Sequence, residues 1–310
     1  MPSPTSDTPT ILTGPLRAPR QMLAEQSYAG HTSVHDAETA ANLGLAGAPI
    51  EGPTHFSQFD PLLASLWGGR WFSHGCLSAH FQTMVVEGEE VQATVTSPGP
   101  GSTAVRIDAA KADGTPVLTG TASIDGDTAV TELAPRLARS QGSPPGRLHV
   151  LDHISVGQRG PGDETVSVAF GDDFGELYPF SLADKLDAIT EVLDWYRPGA
   201  ETPWGGPIVP IEMLSVLTNA GSKHAGFVAR QPSVGLFIDL EARLLGSPVL
   251  VDHTYRIDRE VVALGESRRT ESYWTLTTLS DEATGHPTAQ VLLHQGVFKD
   301  SYPDYPAPPS

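Results

Sequence analysis

The sequence predicts an α+β fold built from two similar halves, each a helix followed by a run of antiparallel strands. Three observations carry that expectation. A glycine-proline turn, Gly47-Ala48-Pro49-Ile50-Glu51-Gly52-Pro53, opens an apolar helical segment, and Gly206-Pro207-Ile208-Val209-Pro210 does the same further on. Pro49 and Pro207, Ile50 and Ile208, Gly88 and Gly246, and Val91 and Val249 each lie 158 residues apart. After each helix come apolar, strand-like runs broken by glycine turns. One supersecondary pattern repeated twice points to a duplicated unit.

The elements follow in order. Residues 1–10 are rich in Pro, Ser and Thr and are expected to be disordered, because they cannot bury enough apolar area to offset ordering entropy. The first repeat is expected over 11–138. In it Phe56, Phe59, Leu63, Leu66 and Trp67 fall at helical spacing and give one buried face. Phe81–Val95 reads as strand, glycine turn, strand, and Ala104–Ile107 and Val117–Ile124 flank the turn Ala112-Asp113-Gly114. Ser140–Arg147 (SQGSPPGR) reads as a linker, placed at 139–148. The second repeat, 149–300, runs through Ile211, Leu214 and Leu217 on its helix. It continues with the strand pair in Asp239–Tyr255 and a hairpin of Glu271–Leu279 with Ala289–Phe298. The tail 301–310 carries four prolines and is expected to be disordered.

Charge narrows the function. Lys and Arg number 19 against 37 Asp and Glu, a formal net charge of −18. A nucleic-acid binder needs a basic face, and an anionic membrane surface would repel this chain. No apolar run approaches the roughly 18 residues of a membrane span. Met1–Thr10 lacks the basic and apolar regions of a secretory signal, and the single Cys76 forms no intramolecular disulfide, so a cytoplasmic protein is expected. An anionic substrate such as a coenzyme A ester would need a local Arg cluster against this field. Neither a Walker loop nor G-x-G-x-x-G occurs, so no cofactor is expected.

Segment Tyr28–Phe56 (YAGHTSVHDAETAANLGLAGAPIEGPTHF) resembles the start of MaoC-like enoyl-thioester hydratases and dehydratases. That family reads roughly S-G-D-x-N-P-x-H, a short Ala-rich helix, then G-F-x-G-x-x-x-H-G-M. Gly30 matches the motif glycine, His35 its histidine, Ala37–Asn42 the Ala-rich helix, Gly44-Leu45 the G-F pair and Gly52 the glycine of H-G-M. Val85–Val91 (VVEGEEV) resembles the family's P-x-x-P-G-D-x-L. The resemblance implies a double hotdog, in which an antiparallel sheet wraps a central helix in each repeat. It also implies hydration or dehydration of an α,β-unsaturated acyl thioester, on coenzyme A or a carrier protein. The motif is altered. His31 stands nearest the family's catalytic Asp, Glu51 replaces the H-G-M histidine, and Thr32-Ser33-Val34 replaces Asn-Pro. Ser181-Leu182-Ala183-Asp184 lies near the corresponding place of the second half with no following His, so that half is expected to be a degenerate, supporting repeat.

Hydration requires a base to activate water, an acid for Cα, and dipoles for the enolate oxygen. His35 is the natural base, with an ordinary pKa of about 6.5. Asp36 and Glu51 are its candidate acidic partners, and His31 is a second candidate proton carrier. Gly52 offers a backbone N–H at a helix N-terminus, where negative charge is favoured, and a glycine admits close approach. His55 and Tyr28 are candidate substrate contacts. Each has a plain alternative: His35 as a loop histidine capping the next helix, Glu51 as a first-turn carboxylate, His55 as a packed side chain. His31 and His35 are four apart, but Gly30, Thr32 and Val34 make a poor helix, so no metal site is expected.

Other groups stay open between two readings. Asp60 could serve as the central-helix carboxylate of a hotdog thioesterase, or could cap a helix with Pro61 at its first position. Trp67, Trp71, Phe72, Trp195, Tyr196 and Trp204 read as core, some lining an acyl tunnel. Arg268-Arg269 could meet phosphates or lie on a solvated edge. Thioesterase action, cyclisation or isomerisation, and non-catalytic binding of an acyl or polyketide-like ligand are the alternatives to water addition. The chain is expected to act as a monomeric pseudo-dimer or a homodimer.

Overall fold

The structure is a computed structural model that describes residues 9–28, 31–124 and 130–306. The first half contains β1 (Thr10–Arg17), β2 (Ser27–Tyr28), β3 (His31–Thr32), α1 (Ala37–Asn42), α2 (Asp60–Trp67) and α3 (Trp71–His74). It continues with β4 (Cys76–Phe81), β5 (Val91–Ser97), β6 (Ala104–Lys111) and β7 (Pro116–Ser123). Then come α4 (Leu133–Gly142), β8 (Thr165–Val168), α5 (Leu182–Ala188) and α6 (Met213–Asn219). The chain closes with β9 (Gly235–Leu244), β10 (His253–Glu266), β11 (Thr270–Asp281) and β12 (Pro287–Phe298).

Alternation builds the strands. β5 buries Val91, Ala93 and Val95, every second residue, as one face of a sheet requires. Ten strands form one antiparallel sheet in the order β1-β5-β6-β7-β4-β9-β12-β11-β10-β8, and β2 pairs only with β3. The first half contributes β1-β5-β6-β7-β4 and the second β8-β10-β11-β12-β9. Counting only the strands of this sheet within each half, the two orders are the same. The halves meet where β4 pairs with β9, from Cys76 opposite Arg243 to His80 opposite Asp239. There buried Asp239 accepts from His80 Nδ1 and His294 Nδ1, each at 2.7 Å, and so ties β4, β9 and β12.

The single offset of 158 is not the structural equivalence. Ile50 N–H donates to Val85 O, and Val209 N–H donates to Val249 O, each at 2.8 Å. Isolated bridges join Pro49 to Val86 and Ile208 to Leu250. The helix entries are thus 159 residues apart and the turns that follow 164 apart. Gly88, at φ 92°, corresponds to Asp252, at φ 63°, and not to Gly246. Asp tolerates the left-handed region, so the turn keeps its shape while its residue changes.

A 3-10 helix, Gly52–Phe59, leads into α2. Phe56, Phe59 and Leu63 are fully buried there, and Leu66 and Trp67 pack against the same core. In the second half α6 is buried on every face. Phe72 meets Trp195 edge-on at 5.1 Å, which stitches the halves through aromatic contact.

The linker and the ends differ from expectation. α4 takes in the first three residues of Ser140–Arg147, and Trp274 Nε1 donates to Ser140 Oγ at 3.1 Å. Gly146 N–H donates to the Glu266 carboxylate at 3.0 Å. Tail residues Tyr302 and Tyr305 pack against the cluster of Leu148, Val150 and Val261, so burial fixes a segment whose composition pointed to disorder. β1 starts at Thr10, and residues 1–8 and 307–310 lie outside the described residues. Among the described residues no helix is long and apolar enough to cross a membrane.

Candidate active site

A cavity of about 390 Å³ draws its wall from both halves. His35, Glu51, Gly52 and His55 all line it. His35 precedes the N-cap of α1: Asp36 Oδ1 accepts from Thr39 N–H at 2.8 Å, which fixes the chain direction there. His35 Nδ1 lies 2.7 Å from Pro49 O. A carbonyl oxygen only accepts, so this contact assigns the proton to Nδ1 and leaves the Nε2 lone pair free. Burial lowers the His35 pKa, against the opposing pull of the Pro49 carbonyl and the Glu51 charge. The neutral, basic form is therefore favoured.

Glu51 stands at the head of the 3-10 helix but makes no capping bond. Its side chain is buried, and Oε2 accepts from Lys185 Nζ at 2.8 Å. Lys185 also donates to Thr54 Oγ1 at 3.0 Å and lies 3.1 Å from Glu212 Oε1. Burial alone would lower the Lys185 ammonium, but Glu212 and Glu51 outweigh it and hold the charge. Burial raises the Glu212 pKa, and Lys185 resists that rise. Glu51 Oε1 has no hydrogen-bond partner among the described residues. His55 is buried with Nδ1 unpartnered among the described residues, and burial together with the Lys185 charge pushes it down to about 4. It is neutral at ordinary pH. At Gly52 an added Cβ would sit 3.1 Å from the Phe81 ring, a tight contact that the ring would have to yield to.

No protein-family model matches this chain, and no curated protein sequence matches it. Solved structures do. A chain described as a MaoC domain protein dehydratase, from Chloroflexus aurantiacus J-10-fl, aligns over 93% of this chain and 94% of its own. Its TM-score is 0.50 and its identity 13%. A MaoC-like dehydratase aligns over 94% and 97%, again with TM-score 0.50 and 13% identity. A conserved hypothetical protein of Mycobacterium tuberculosis, described as having a double hotdog fold, aligns over 92% and 96% at TM-score 0.54 and 14% identity. The fold is the double hotdog. At such identities the likeness is one of fold.

Within the double hotdog the remaining sequence-derived candidates separate. Asp36 is the α1 cap and does not line the cavity. The backbones of Tyr28 and His31 pair with each other across the β2–β3 ladder, and their side chains lie outside the described residues. Asp60 is fully buried, does not line the cavity, and its side chain does not cap α2. Its Oδ1 accepts from Trp71 Nε1 at 2.8 Å and its Oδ2 from the Tyr196 hydroxyl at 2.6 Å. Trp67, Trp71, Phe72, Trp195, Tyr196 and Trp204 form core and do not line the cavity; Phe81, Phe227 and Phe237 do. Arg268 and Arg269 are exposed in the β10–β11 turn, where Arg269 covers the Phe298 ring at 5.6 Å. Cys76 is buried, and burial pushes its thiol up.

Sequence reading missed Lys185, the buried cation bonded to Glu51 behind the cavity wall. It sits on α5, behind the Ser181–Asp184 capping box and between buried Leu182 and Leu186. A lysine on the apolar face of a capped helix was the available signal.

Proposed function

We propose that this double hotdog adds or removes water at an α,β-unsaturated acyl thioester or a related carbonyl compound. The observation that supports it most is the pinned His35 tautomer, with a free Nε2, in a cavity that Glu51 also lines. In the hydration direction Nε2 takes a proton from water as its oxygen bonds to Cβ. The π electrons move towards the carbonyl oxygen, which the Gly52 N–H and the helix N-terminus stabilise. The His35 proton then passes to Cα, and the carbonyl re-forms. Glu51 Oε1 accepts from the second hydrogen of the water and steadies the transient imidazolium. Lys185 holds Glu51 in place by its other oxygen. Dehydration is the reverse. The second repeat acts as support in a monomer whose halves stand in for two subunits, and the cytoplasm is the proposed location.

Thioester hydrolysis is the second reading, and it keeps Glu51 alone, since both Asp60 oxygens are bonded away from the cavity. The test offers the protein crotonyl-CoA and the crotonyl thioester of N-acetylcysteamine, which lacks phosphates. Loss of the enoyl absorbance without release of thiol is expected. The net charge of −18 favours the phosphate-free probe relative to its coenzyme A counterpart. Thiol release at the rate of enoyl loss would replace this proposal with hydrolysis, and no reaction of either probe would remove it.

A further inference from the structure

We infer that the cavity takes an acyl chain bearing a neutral oxygen, hydroxyl or keto, far from the thioester, and that Thr275 and Thr277 of β11 read it. This rests on the proposed function only for which end reacts. The cavity extends well beyond the first repeat. From Phe81 on β4, beside Gly52, its wall crosses Ile238 on β9 and Gln295 on β12 to Thr275 and Thr277 on β11 and Arg259 on β10. These strands are successive neighbours in the sheet. Four strand spacings of about 4.8 Å carry the far wall roughly 19 Å from Phe81.

Where the path crosses β9 it is apolar, with Phe237 and Ile238, whereas β11 presents two hydroxyls beside Phe227. Thr275 and Thr277 are 6% and 4% exposed and, two apart on a strand, share the face that lines the cavity. Neither hydroxyl is hydrogen-bonded to a described residue. Asn219 uses Nδ2 on Ser215 O, and its Oδ1 stays open. Ser233 Oγ, on another lining residue, is buried without a partner. A plain alkyl chain would strip water from these groups and leave them unpaired, which is unfavourable. Valine would fill the two strand positions with the same shape if an alkyl tail were the ligand. The charge state of the oxygen follows from Arg259. Its Nε and Nη2 donate to Thr218 O at 3.0 and 2.7 Å, and its Nη1 to the Glu164 carboxylate. The Glu164 carboxylate neutralises Arg259, and Lys223, the other Lys or Arg of the lining, is exposed and 3.8 Å from the Glu176 carboxylate, so neither offers an anionic tail an unpaired charge.

The test compares N-acetylcysteamine thioesters of α,β-unsaturated decenoic and ω-hydroxydecenoic acids by kcat/KM. Separately, the saturated decanoyl and ω-hydroxydecanoyl thioesters are titrated by calorimetry, which needs no turnover. The ω-hydroxy probes are expected to win by at least about tenfold in both readouts. The Thr275→Val, Thr277→Val double variant should bring the ratio towards one. Thr278→Val, on the opposite face of β11, should leave it unchanged. Equal or better use of the alkyl probes by the wild-type protein, or no binding of either, overturns the inference whatever the variants do. A calorimetric preference without turnover would sustain it and remove the hydratase reading instead.

Discussion

Asp60 is a carboxylate on the central helix with both oxygens taken, one by Trp71 and one by Tyr196. Burial pushes its pKa up to about 7 from the ordinary 3.8, while those two hydrogen bonds pull the other way. Folding therefore favours the protonated form. The stability it contributes is complete below about pH 4, is lost as pH rises through about 7, and is constant above. Asp60→Asn removes that titration. The unfolding free energy of wild type minus variant should fall by up to about 4 kcal/mol between about pH 4 and pH 8, read from urea curves. A difference that is flat or rises with pH would contradict this. His55 acts with the opposite sign: its stability is lost as pH falls from about 6.5 through about 4, and the subtraction cancels it. The sequence placed Asp60 on its helix beside Pro61. It did not disclose Trp71, 11 residues on, or Tyr196, 136 residues on, because both partners are set by tertiary packing.

Among the elements, β7 places Gly120 opposite Ala79 of β4. An added Cβ would lie 2.1 Å from the Ser78 carbonyl oxygen, a backbone atom that cannot swing aside. Gly120→Ala should cost about 1–3 kcal/mol or more in urea unfolding. Gly99→Ala, with nothing within 4 Å of the new methyl, should stay within about 0.5 kcal/mol. Equal effects at the two glycines would show that the close approach does not matter. The helices α2 and α6 and the strands β6, β7, β11 and β12 were legible because periodicity is local, while α4 and α5 were not. The repeat register was not, because Asp252 takes the left-handed role that Gly88 plays in the first half. Composition misjudged the tail for a related reason: Tyr302 and Tyr305 gain their burial from distant Leu148 and Val150.

At the scale of the molecule, the two halves share one sheet and one site. Glu51 of the first reaches Lys185 of the second, and Gln26 Nε2 donates to Leu177 O at 2.6 Å. The repeat that lacks a matching histidine thus supplies the cation behind Glu51 and the far wall of the cavity. That His35 and Gly52 face one cavity was suggested by their place in a motif. The far wall was not, since its hairpins join the rest of the cavity through β9, which pairs with β12 and β4 only across long stretches of chain.

The most direct test of the site is the pH profile of kcat/KM for hydration of the crotonyl thioester of N-acetylcysteamine, by wild type and by His35→Ala. Because burial lowers the His35 pKa, the wild-type rate should hold as pH falls past about 6.5 and drop only below it. His35→Ala should lose about 10²–10⁴-fold with its melting temperature kept. A folded His35→Ala protein that hydrates at the wild-type rate would contradict the account.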